Sequence, residues 1–358
     1  MKSRISAGRP ADRKNQIESH LRDQIVMGPW GPGSRLPNRA EIEQQFGTGP
    51  GTVQAALASL ARDGFILSRG SKGTFVTPNP PHLTRYALIF THHPSATEIG
   101  HWARFWTAMT QEALAVEKEE VRRLPRYYSI DGHADSEDFV QLVRDIEAHR
   151  VAGLILTSRP TNLHNTPLLD QVGLPRITLS SAPFAGVPTL GLDQLSFLTK
   201  ALAYLKSRGR EKVAIMTTPR AWSKVDIFEV VASYGMEMQP YWVQRTNLSS
   251  PETARESAHL LMKCSDRPDA LIIADDNIVE YATSGLVAAG VRVPEELEIV
   301  VHCNFPYPTP SVLPVQRLGY DARAVLAACL DSIDRQRRGE TVEEFSLIPA
   351  QFEEELSR

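Results

Sequence analysis

The sequence predicts two domains: a small α+β domain at the N-terminus and a larger α/β domain with two lobes of parallel, doubly wound sheet. Its 358 residues exceed what one compact core usually holds. From Arg85 onward, apolar strand-like runs alternate with helix-patterned segments, which is typical of parallel sheets buried on both faces. Charge is also uneven: residues 1–80 hold 11 Lys and Arg against 6 Asp and Glu, whereas residues 81–358 hold 28 against 36. A basic first module favours contact with a polyanion.

The N-terminal segment has the pattern of three helices followed by a β-hairpin. The chain starts with a basic arm of five cations, Lys2, Arg4, Arg9, Arg13 and Lys14. Apolar residues then repeat at helical spacing over 17–25, briefly over 42–46, and again over 50–62. The strand-like stretches 65–68 and 74–76 then flank a glycine-containing turn. This order predicts a winged helix-turn-helix in which the 50–62 helix is the element that reads DNA.

A proline cluster at 77–81 marks the clearest boundary, because prolines favour extended geometry and give no donor to a helix or sheet. We place a DNA-binding domain at 1–76, a linker at 77–84 and the larger domain at 85–358. Eight strands are predicted, at 86–90, 126–130, 152–157, 175–180, 212–216, 241–244, 270–274 and 298–303. Helices are predicted at about 103–118, 136–149, 194–208, 221–234, 251–264, 279–289 and 320–338.

Several residues of the first domain suit DNA contacts. Pro50 fits the first position of the reading helix, whose N-terminus offers free N–H groups to a phosphate. Gln54 could pair with an adenine edge, and Thr52 with a phosphate or a thymine methyl. The alternative for each basic residue is a solvated face. The full set of candidates is Arg35, Asn38, Arg39, Gly49, Gly51, Thr52, Gln54, Arg69, Lys72 and Gly73.

The same segment resembles the DNA-binding domain of the GntR family of bacterial regulators over about 60 residues. The likeness rests on the Gly28 to Pro37 turn, on Thr52-Val53 and Ala56-Leu57, and on the Gly70 to Val76 wing. Members of that family commonly open the reading helix with Ser-Arg and carry an arginine shortly after the valine. This chain has Gly49-Pro50 and Gln54 instead, so we expect weaker non-specific DNA affinity and a different operator sequence.

The larger region is similar to the effector-binding domain of LacI-type regulators, which has a periplasmic-binding-protein-like fold. The likeness rests on Leu190–Asp193, Leu205–Ala214, Pro268–Asp276, Gly290–Leu297 and Leu318-Gly319. A GntR head on a LacI-type body resembles the arabinose-repressor type of regulator. The resemblance implies a repressor that binds double-stranded operator DNA as a homodimer. It also implies release by a small molecule, by family analogy a mono- or disaccharide, that closes the cleft between the lobes.

The resemblance places effector contacts on Asp275 and Asn304, both after strand-like runs. The arginine that usually anchors the effector falls on Ser223, with Arg220 and Lys224 as neighbours that could replace it. Aromatic residues could stack on a sugar, although tryptophans at helical spacing are more often core residues. The expected effector set is His93, Ser95, Trp102, Phe105, Arg220, Trp222, Lys224, Asp275 and Asn304, with Trp106 as a further stacking candidate.

Composition excludes several other classes. Hydrophobic residues at 42% and charged residues at 23% fit an ordinary globular protein. No apolar run approaches the length of a membrane span, and the first residues lack the apolar core of a signal peptide, so we expect a cytoplasmic protein with no membrane partner. Cysteine and histidine spacings give no metal signature, and we expect no metal, no cofactor and three buried cysteines.

Two alternatives stay open. One is a DNA-binding protein whose body serves assembly alone, which the missing anchor arginine favours. The other is a GntR-headed pyridoxal phosphate enzyme, whose cofactor would need a Schiff-base lysine in an aminotransferase pattern. The candidate lysines, which lack that context, are Lys200, Lys206, Lys212, Lys224 and Lys263.

Overall fold

The structure, a computed structural model, describes residues 10–95, 103–218 and 225–356. The chain divides into two compact units. Unit 1 comprises Met1–Ile89, Val116–Ile155 and Thr161–Pro175, and unit 2 comprises Phe90–Ala115, Leu156–Pro160 and Arg176–Arg358. The linker predicted at 77–84 lies inside unit 1, and the domain limits drawn from the sequence stay a prediction.

The helices are α1 (Pro10–Val26), α2 (Arg39–Phe46), α3 (Pro50–Arg62), α4 (Pro81–Thr84), α5 (Arg104–Glu119), α6 (Glu137–Glu147), α7 (Pro167–Asp170), α8 (Gln194–Ser207), α9 (Ile227–Ser233), α10 (Thr253–Leu261), α11 (Val279–Ala289), α12 (Ala322–Arg337) and α13 (Glu353–Leu356). The strands are β1 (Ile66–Ser68), β2 (Thr74–Val76), β3 (Tyr86–Ile89), β4 (Arg126–Tyr127), β5 (Gly153–Leu156), β6 (Arg176–Leu179), β7 (Thr189–Leu192), β8 (Val213–Thr217), β9 (Val243–Arg245), β10 (Ala270–Ile273), β11 (Glu298–Phe305), β12 (Gln316–Asp321), β13 (Phe345–Ile348) and β14 (Gln351–Phe352).

The first part of unit 1 is the predicted winged helix-turn-helix. Helices α1 to α3 precede the antiparallel pair β1 and β2, which is joined through a 3-10 turn at Gly70–Lys72. Their apolar faces meet in one core that includes Ile17, Leu21, Val53 and Leu60, all fully buried. Burial of these stripes is what fixes three short helices that would be marginal alone. We call this part, residues 10–76, the head.

The rest of unit 1 contains parallel strands and the helix α6. Strand β3 pairs in parallel with β4. Helix α6 begins at a capping serine, Ser136, whose hydroxyl accepts from the backbone N–H of Phe139 at 3.2 Å. Phe139, Leu142 and Ile146 form its buried stripe. This packing fixes the turn at residues 148–150, where the chain leaves α6.

Unit 2 contains a six-stranded sheet with the order β14-β12-β11-β10-β8-β9. All neighbours in it run parallel except β14, which is antiparallel to β12. Alternate residues of its strands enter two separate apolar clusters: Leu271 and Ile273 belong to one, Ala270 and Ile272 to the other. Both faces are therefore buried, as the continuous apolar runs predict. Strands β6, β7 and β13 form a second parallel set in this unit.

The eight predicted strands and seven predicted helices of the larger region are all present, but four strands were not predicted. They are β7, β12, β13 and β14. Glycine interrupts the apolar pattern of β7 and β12, and the packing of these two strands explains why glycine is there. A Cβ on Gly191 would lie 2.8 Å from the Leu347 side chain, and one on Gly319 would lie 1.9 Å from the Cys303 carbonyl oxygen. Close backbone approach requires glycine inside both strands.

Three local expectations were wrong. The proline segment is not extended throughout, because Pro81 starts the helical turn α4 at the one position where proline is tolerated. The helix predicted at about 221–234 begins later than expected: Val225 and Asp226 precede α9, which begins at Ile227 with Asp226 as its cap, while residues 221–224 lie outside the described residues. Cys303 and Cys329 are buried, but Cys264 is exposed.

Within the described ranges, no helix has both the length and the apolar character to cross a membrane.

Candidate DNA-binding surface and effector site

Helix α3 presents a polar face at its N-terminus. Gly49 is its N-cap and Pro50 occupies the first turn, as expected, and no side chain caps the helix there. Gly49, Gly51 and Gln54 are exposed and Thr52 is half-buried, while the opposite face packs into the head core. Pro50 has no N–H, and the Thr52 N–H donates to the Gly49 carbonyl at 3.2 Å, so the exposed Gly51 marks the positive end of the helix dipole at this surface.

The residues before α3 hold the helix-turn-helix in shape. Asn38 caps α2: its side-chain oxygen accepts from the Glu41 N–H at 3.0 Å, and the Glu41 carboxylate accepts from the Asn38 N–H at 2.7 Å. Arg39 pairs with Glu43 at 2.9 Å, which offsets part of its charge. Asn38 and Arg39 thus have local roles that the sequence analysis missed, although N-x-x-E before a helix is a capping signal.

Arg13 also has a structural role. Its guanidinium donates to the Gly47 carbonyl at 2.8 Å and so ties α1 to the turn before α3. Arg13 was expected in the basic arm, but α1 already begins at Pro10 and so includes it. Of the other cations of that arm, Lys14 lies in α1 and pairs with Glu18 at 2.6 Å, whereas Lys2, Arg4 and Arg9 lie outside the described residues.

The wing brings together four of the predicted DNA-binding residues. Arg35 forms a β-bridge with Phe75, and the Arg69 guanidinium lies 5.2 Å from the centre of the Phe75 ring. Gly73 has a φ of 109°, and a Cβ there would lie 3.0 Å from the Arg35 side chain. Lys72 is exposed in the adjoining turn. The wing is therefore a compact cationic surface that requires glycine at position 73.

The predicted effector residues Asp275 and Asn304 lie at the ends of neighbouring parallel strands in unit 2. Asp275 follows β10 and is half-buried; its carboxylate accepts from the backbone and side-chain N–H groups of Asn277 at 2.9 and 2.8 Å. Asn304, in β11, is buried and donates to the Asp276 carboxylate at 2.6 Å. Its side-chain oxygen is buried without a hydrogen-bond partner. One amide acceptor is thus free for another donor.

Electrostatics separate the two aspartates. Burial, and then the neighbouring charge of Asp276, raise the pKa of Asp275 above the usual value. Asp276 is buried, takes the Asn304 amide, and lies 3.8 Å from His302 Nδ1. Asp276, Asn277 and His302 also belong to this cluster, although they were not predicted as effector-site residues. The run Asp-Asp-Asn after a buried strand was the available signal.

A second contact brings α5 to this cluster. The Arg104 backbone N–H, at the start of α5, donates to the Asn277 side-chain oxygen at 2.9 Å. Phe105, the next residue, is half-buried. The predicted stacking residue Phe105 therefore lies next in sequence to a residue that contacts this loop.

Of the remaining effector candidates, the structure describes His93, Ser95 and Trp106. His93 and Ser95 hydrogen-bond each other, with 2.6 Å between His93 Nδ1 and Ser95 Oγ. Trp106 is half-buried against the Phe90 and His92 rings, which favours a packing role. Trp102, Arg220, Trp222 and Lys224 lie outside the described residues.

Comparison with known proteins agrees with this organisation. Residues 13–76 match the family described as bacterial regulatory proteins, gntR family, and residues 202–351 match the periplasmic binding protein-like domain. The chain therefore carries a GntR-type helix-turn-helix domain at its N-terminus and a periplasmic-binding-protein-like domain after it. The second match includes four of the five lysines considered for a pyridoxal phosphate enzyme, which favours the binding-protein fold over that alternative.

A curated relative is the histidine utilization repressor of Pseudomonas aeruginosa, 28% identical over 143 residues, which are 37% of this chain and 55% of that protein. The chain spans 27% and 55% of the first two curated relatives. Among solved structures, a LacI family transcriptional regulator from Lactobacillus casei with bound glucose has a TM-score of 0.53 and 14% identity, over 75% of this chain and 98% of that one. The transcriptional regulator CelR in complex with cellobiose has a TM-score of 0.56 and 17% identity, over 88% and 98%. These likenesses establish the fold.

Proposed function

We propose that this protein is a ligand-responsive transcriptional repressor that binds operator DNA as a homodimer and releases it when a carbohydrate binds the body. The observation that carries the proposal is the coexistence of two unlike sites in one chain. One is an exposed helix N-terminus beside a cationic wing, and the other is a buried polar cluster at the carboxyl ends of parallel strands. The proposal includes a cytoplasmic location, no cofactor and no catalytic activity.

The DNA contacts divide by chemistry. Gln54 and Thr52 read base edges from α3, while Gly49 and Gly51 allow phosphate to approach the helix N-terminus. Arg35, Arg69 and Lys72 contact phosphates or the minor groove from the wing, and Gly73 gives the wing its conformation. Asn38 and Arg39 contribute less to DNA affinity, because they already bond to Glu41 and Glu43 of α2.

The effector contacts suit hydroxyl groups. A carboxylate such as Asp275 accepts hydrogen bonds from hydroxyls, and the free oxygen of Asn304 does the same. Phe105 supplies an aromatic face next to this cluster. The sequence adds His93, Ser95, Trp102, Arg220, Trp222 and Lys224 to the proposed set. That solved structures of the same fold hold glucose and cellobiose supports a sugar as the ligand class.

The test measures binding of the purified full chain to the DNA upstream of its own gene, with unrelated DNA of equal length as control, at several salt concentrations. We expect a sequence-specific complex whose log K falls with log salt by several units. Glucose, cellobiose and related sugars are then added to the preformed complex. Equal binding to both DNAs would contradict the DNA-binding proposal. Specific binding that no sugar of the panel changes would favour the alternative of a body used for assembly alone.

A charge-matched pair of variants sharpens this test. Arg69→Gln removes an exposed wing cation, and Arg245→Gln removes an exposed cation at the end of β9 in unit 2. Only the first should weaken DNA binding. A similar loss in both would show that binding depends on total charge, because a non-specific polyanion contact responds to either.

A further inference from the structure

The C-terminal end of the reading helix is held by a carboxylate that two arginines share. Asp63 is the C-cap of α3. Its two carboxylate oxygens accept from Arg22 of α1 at 3.3 Å and from Arg150, after α6, at 3.0 Å. The side chains of Asp63, Arg22 and Arg150 are 14%, 13% and 21% exposed, so this is a largely buried group of charges. The first arginine belongs to the head and the second does not.

Arg150 connects Asp63 to the interior beside β4. Its Nε lies 2.7 Å from the carboxylate of Asp145, which is 3% exposed and lies in α6. The other oxygen of Asp145 accepts from the Tyr127 hydroxyl at 2.6 Å. The chain of contacts therefore runs from the end of α3 through one arginine to the strand β4. All of these residues belong to unit 1.

Neighbouring contacts support the same junction. His149, beside Arg150, has its pKa lowered mainly by burial, with the charges of Asp23 and Arg22 of α1 close enough to act on it. On the other side of Asp63, the Phe65 ring stacks on His82 of α4 with 5.8 Å between ring centres. The segment that joins the head to the rest of unit 1 is therefore packed against the residues that follow Asp63.

We propose that the Asp63–Arg150 ion pair is a latch that fixes the orientation of the head on the rest of unit 1. Among the described residues, Asp63 also contacts Arg22 and the Ser59 carbonyl inside the head, whereas Arg150 joins the end of the reading helix to α6 and, through Asp145, to β4. Breaking this pair removes a bond between the head and the rest of unit 1 and leaves a largely buried charge without that partner, which favours displacement of the head. Loss of Arg22 leaves this bond in place. The latch does not depend on whether the head binds an operator.

The test is a spin-label distance measurement on the full chain without DNA. Gln44→Cys in α2 and Gln141→Cys in α6 introduce labels at two exposed positions, in a Cys264→Ser background that removes the exposed native thiol. Dilution with unlabelled protein restricts the signal to distances within one chain. We expect one narrow distance in the parent and a distribution about twofold broader or more in Asp63→Asn and Arg150→Gln, because the head is then free to reorient.

Three comparisons make the test decisive. Arg22→Gln removes the partner of Asp63 inside the head and should leave the distance narrow. Arg150→Gln could unfold the protein because the buried Asp145 loses its partner. Asp63→Asn keeps the Arg150–Asp145 pair, so it tests the latch even in that case. The double variant should be no broader than Arg150→Gln alone, since the Asp63–Arg150 bond is already lost in that variant. Unchanged distributions in folded Asp63→Asn and Arg150→Gln, or equal broadening by Arg22→Gln, would overturn the latch.

Discussion

The wing with the start of α3, and the cluster after β10, use polar side chains in opposite ways. The first displays exposed cations and an exposed helix N-terminus on short local elements. The second buries Asp276 and Asn304 and pairs them with each other across neighbouring strands. An exposed cationic surface acts through long-range, salt-sensitive attraction, whereas a buried cluster selects a ligand by whether each polar group finds a partner. The contrast predicts that changes in the two regions affect different measurements.

The largest expected effect comes from removing the core on which the exposed surface depends. Leu60→Ala leaves a cavity in the fully buried head core and should lower the free energy of unfolding of the head by about 2–5 kcal/mol, with loss of DNA binding. Leu114→Ala is the control, because its side chain is 48% exposed in α5 and the change should stay within about 0.5 kcal/mol. For each variant, chemical denaturation monitored by hydrogen exchange of the amides in α1 to α3 measures the free energy of unfolding of the head. Equal effects of the two variants would contradict the assignment of this core.

Loss of base reading should have the next largest effect. Gln54→Ala removes the proposed adenine contact and should weaken specific DNA binding by about 1–3 kcal/mol, with little change on unrelated DNA. Gln44→Ala, at an exposed position of α2, provides a control of the same residue type. Competition binding with both DNAs gives the ratio. If Gln54→Ala weakened both complexes equally, Gln54 would be a phosphate contact and would carry no sequence information.

Removal of a wing charge should change salt dependence instead. Lys72→Gln is expected to weaken specific and unrelated DNA by similar factors and to reduce the slope of log K against log salt by about 0.9. The measurement is a salt titration by fluorescence anisotropy. A change in the specificity ratio at constant slope would instead place Lys72 against a base.

The smallest expected effect concerns Asp275 in the buried cluster. Its contribution to stability should change with pH in the direction opposite to that of a carboxylate with a lowered pKa. Because burial raises the pKa of Asp275, the native state holds its proton more tightly than the unfolded state. Stability from this group is therefore present in acid and is lost as pH rises through the raised pKa. Asp275→Asn should raise the Tm at pH 7 by about 2–4 °C for each 1 kcal/mol of relieved charge, and the gain should vanish in acid.

Thermal melts of both proteins at several pH values check this prediction, and sugar binding is measured beside them. We expect the stabilised Asp275→Asn variant to bind sugar less well, since a site that binds ligand often holds groups that destabilise the fold. A lower Tm at neutral pH would show that the carboxylate stabilises the fold, contrary to the expected sign.

Much of the head could be predicted from sequence because its signals are local. The spacing of apolar residues gave α3 at Pro50–Arg62, and the glycine-containing turn gave the wing. The contacts of the head that were not predicted join residues far apart in sequence: Arg13 donates to the Gly47 carbonyl, and Arg150 donates to Asp63. No short pattern encodes either pair, because their partners lie 34 and 87 residues away.

The cluster after β10 was predicted only in part. The family resemblance, together with a position after a strand-like run, pointed to both Asp275 and Asn304. The partner of Asn304, however, is Asp276, and Asn277 links this loop to the start of α5. Those pairings follow from the order β11-β10-β8 of the sheet and from the packing of α5, which a single sequence does not specify. Strands β7 and β12 were missed for a related reason, since their glycines are required by neighbours distant in sequence.

The central claim is that the two regions are coupled, and reciprocal binding tests it most directly. The affinity for upstream DNA is measured with and without a saturating sugar from the panel, and the affinity for that sugar with and without DNA. The account predicts that the sugar weakens DNA binding and that DNA weakens sugar binding by the same factor, of about 5 to 150. A sugar that binds tightly while leaving the DNA affinity unchanged would contradict it.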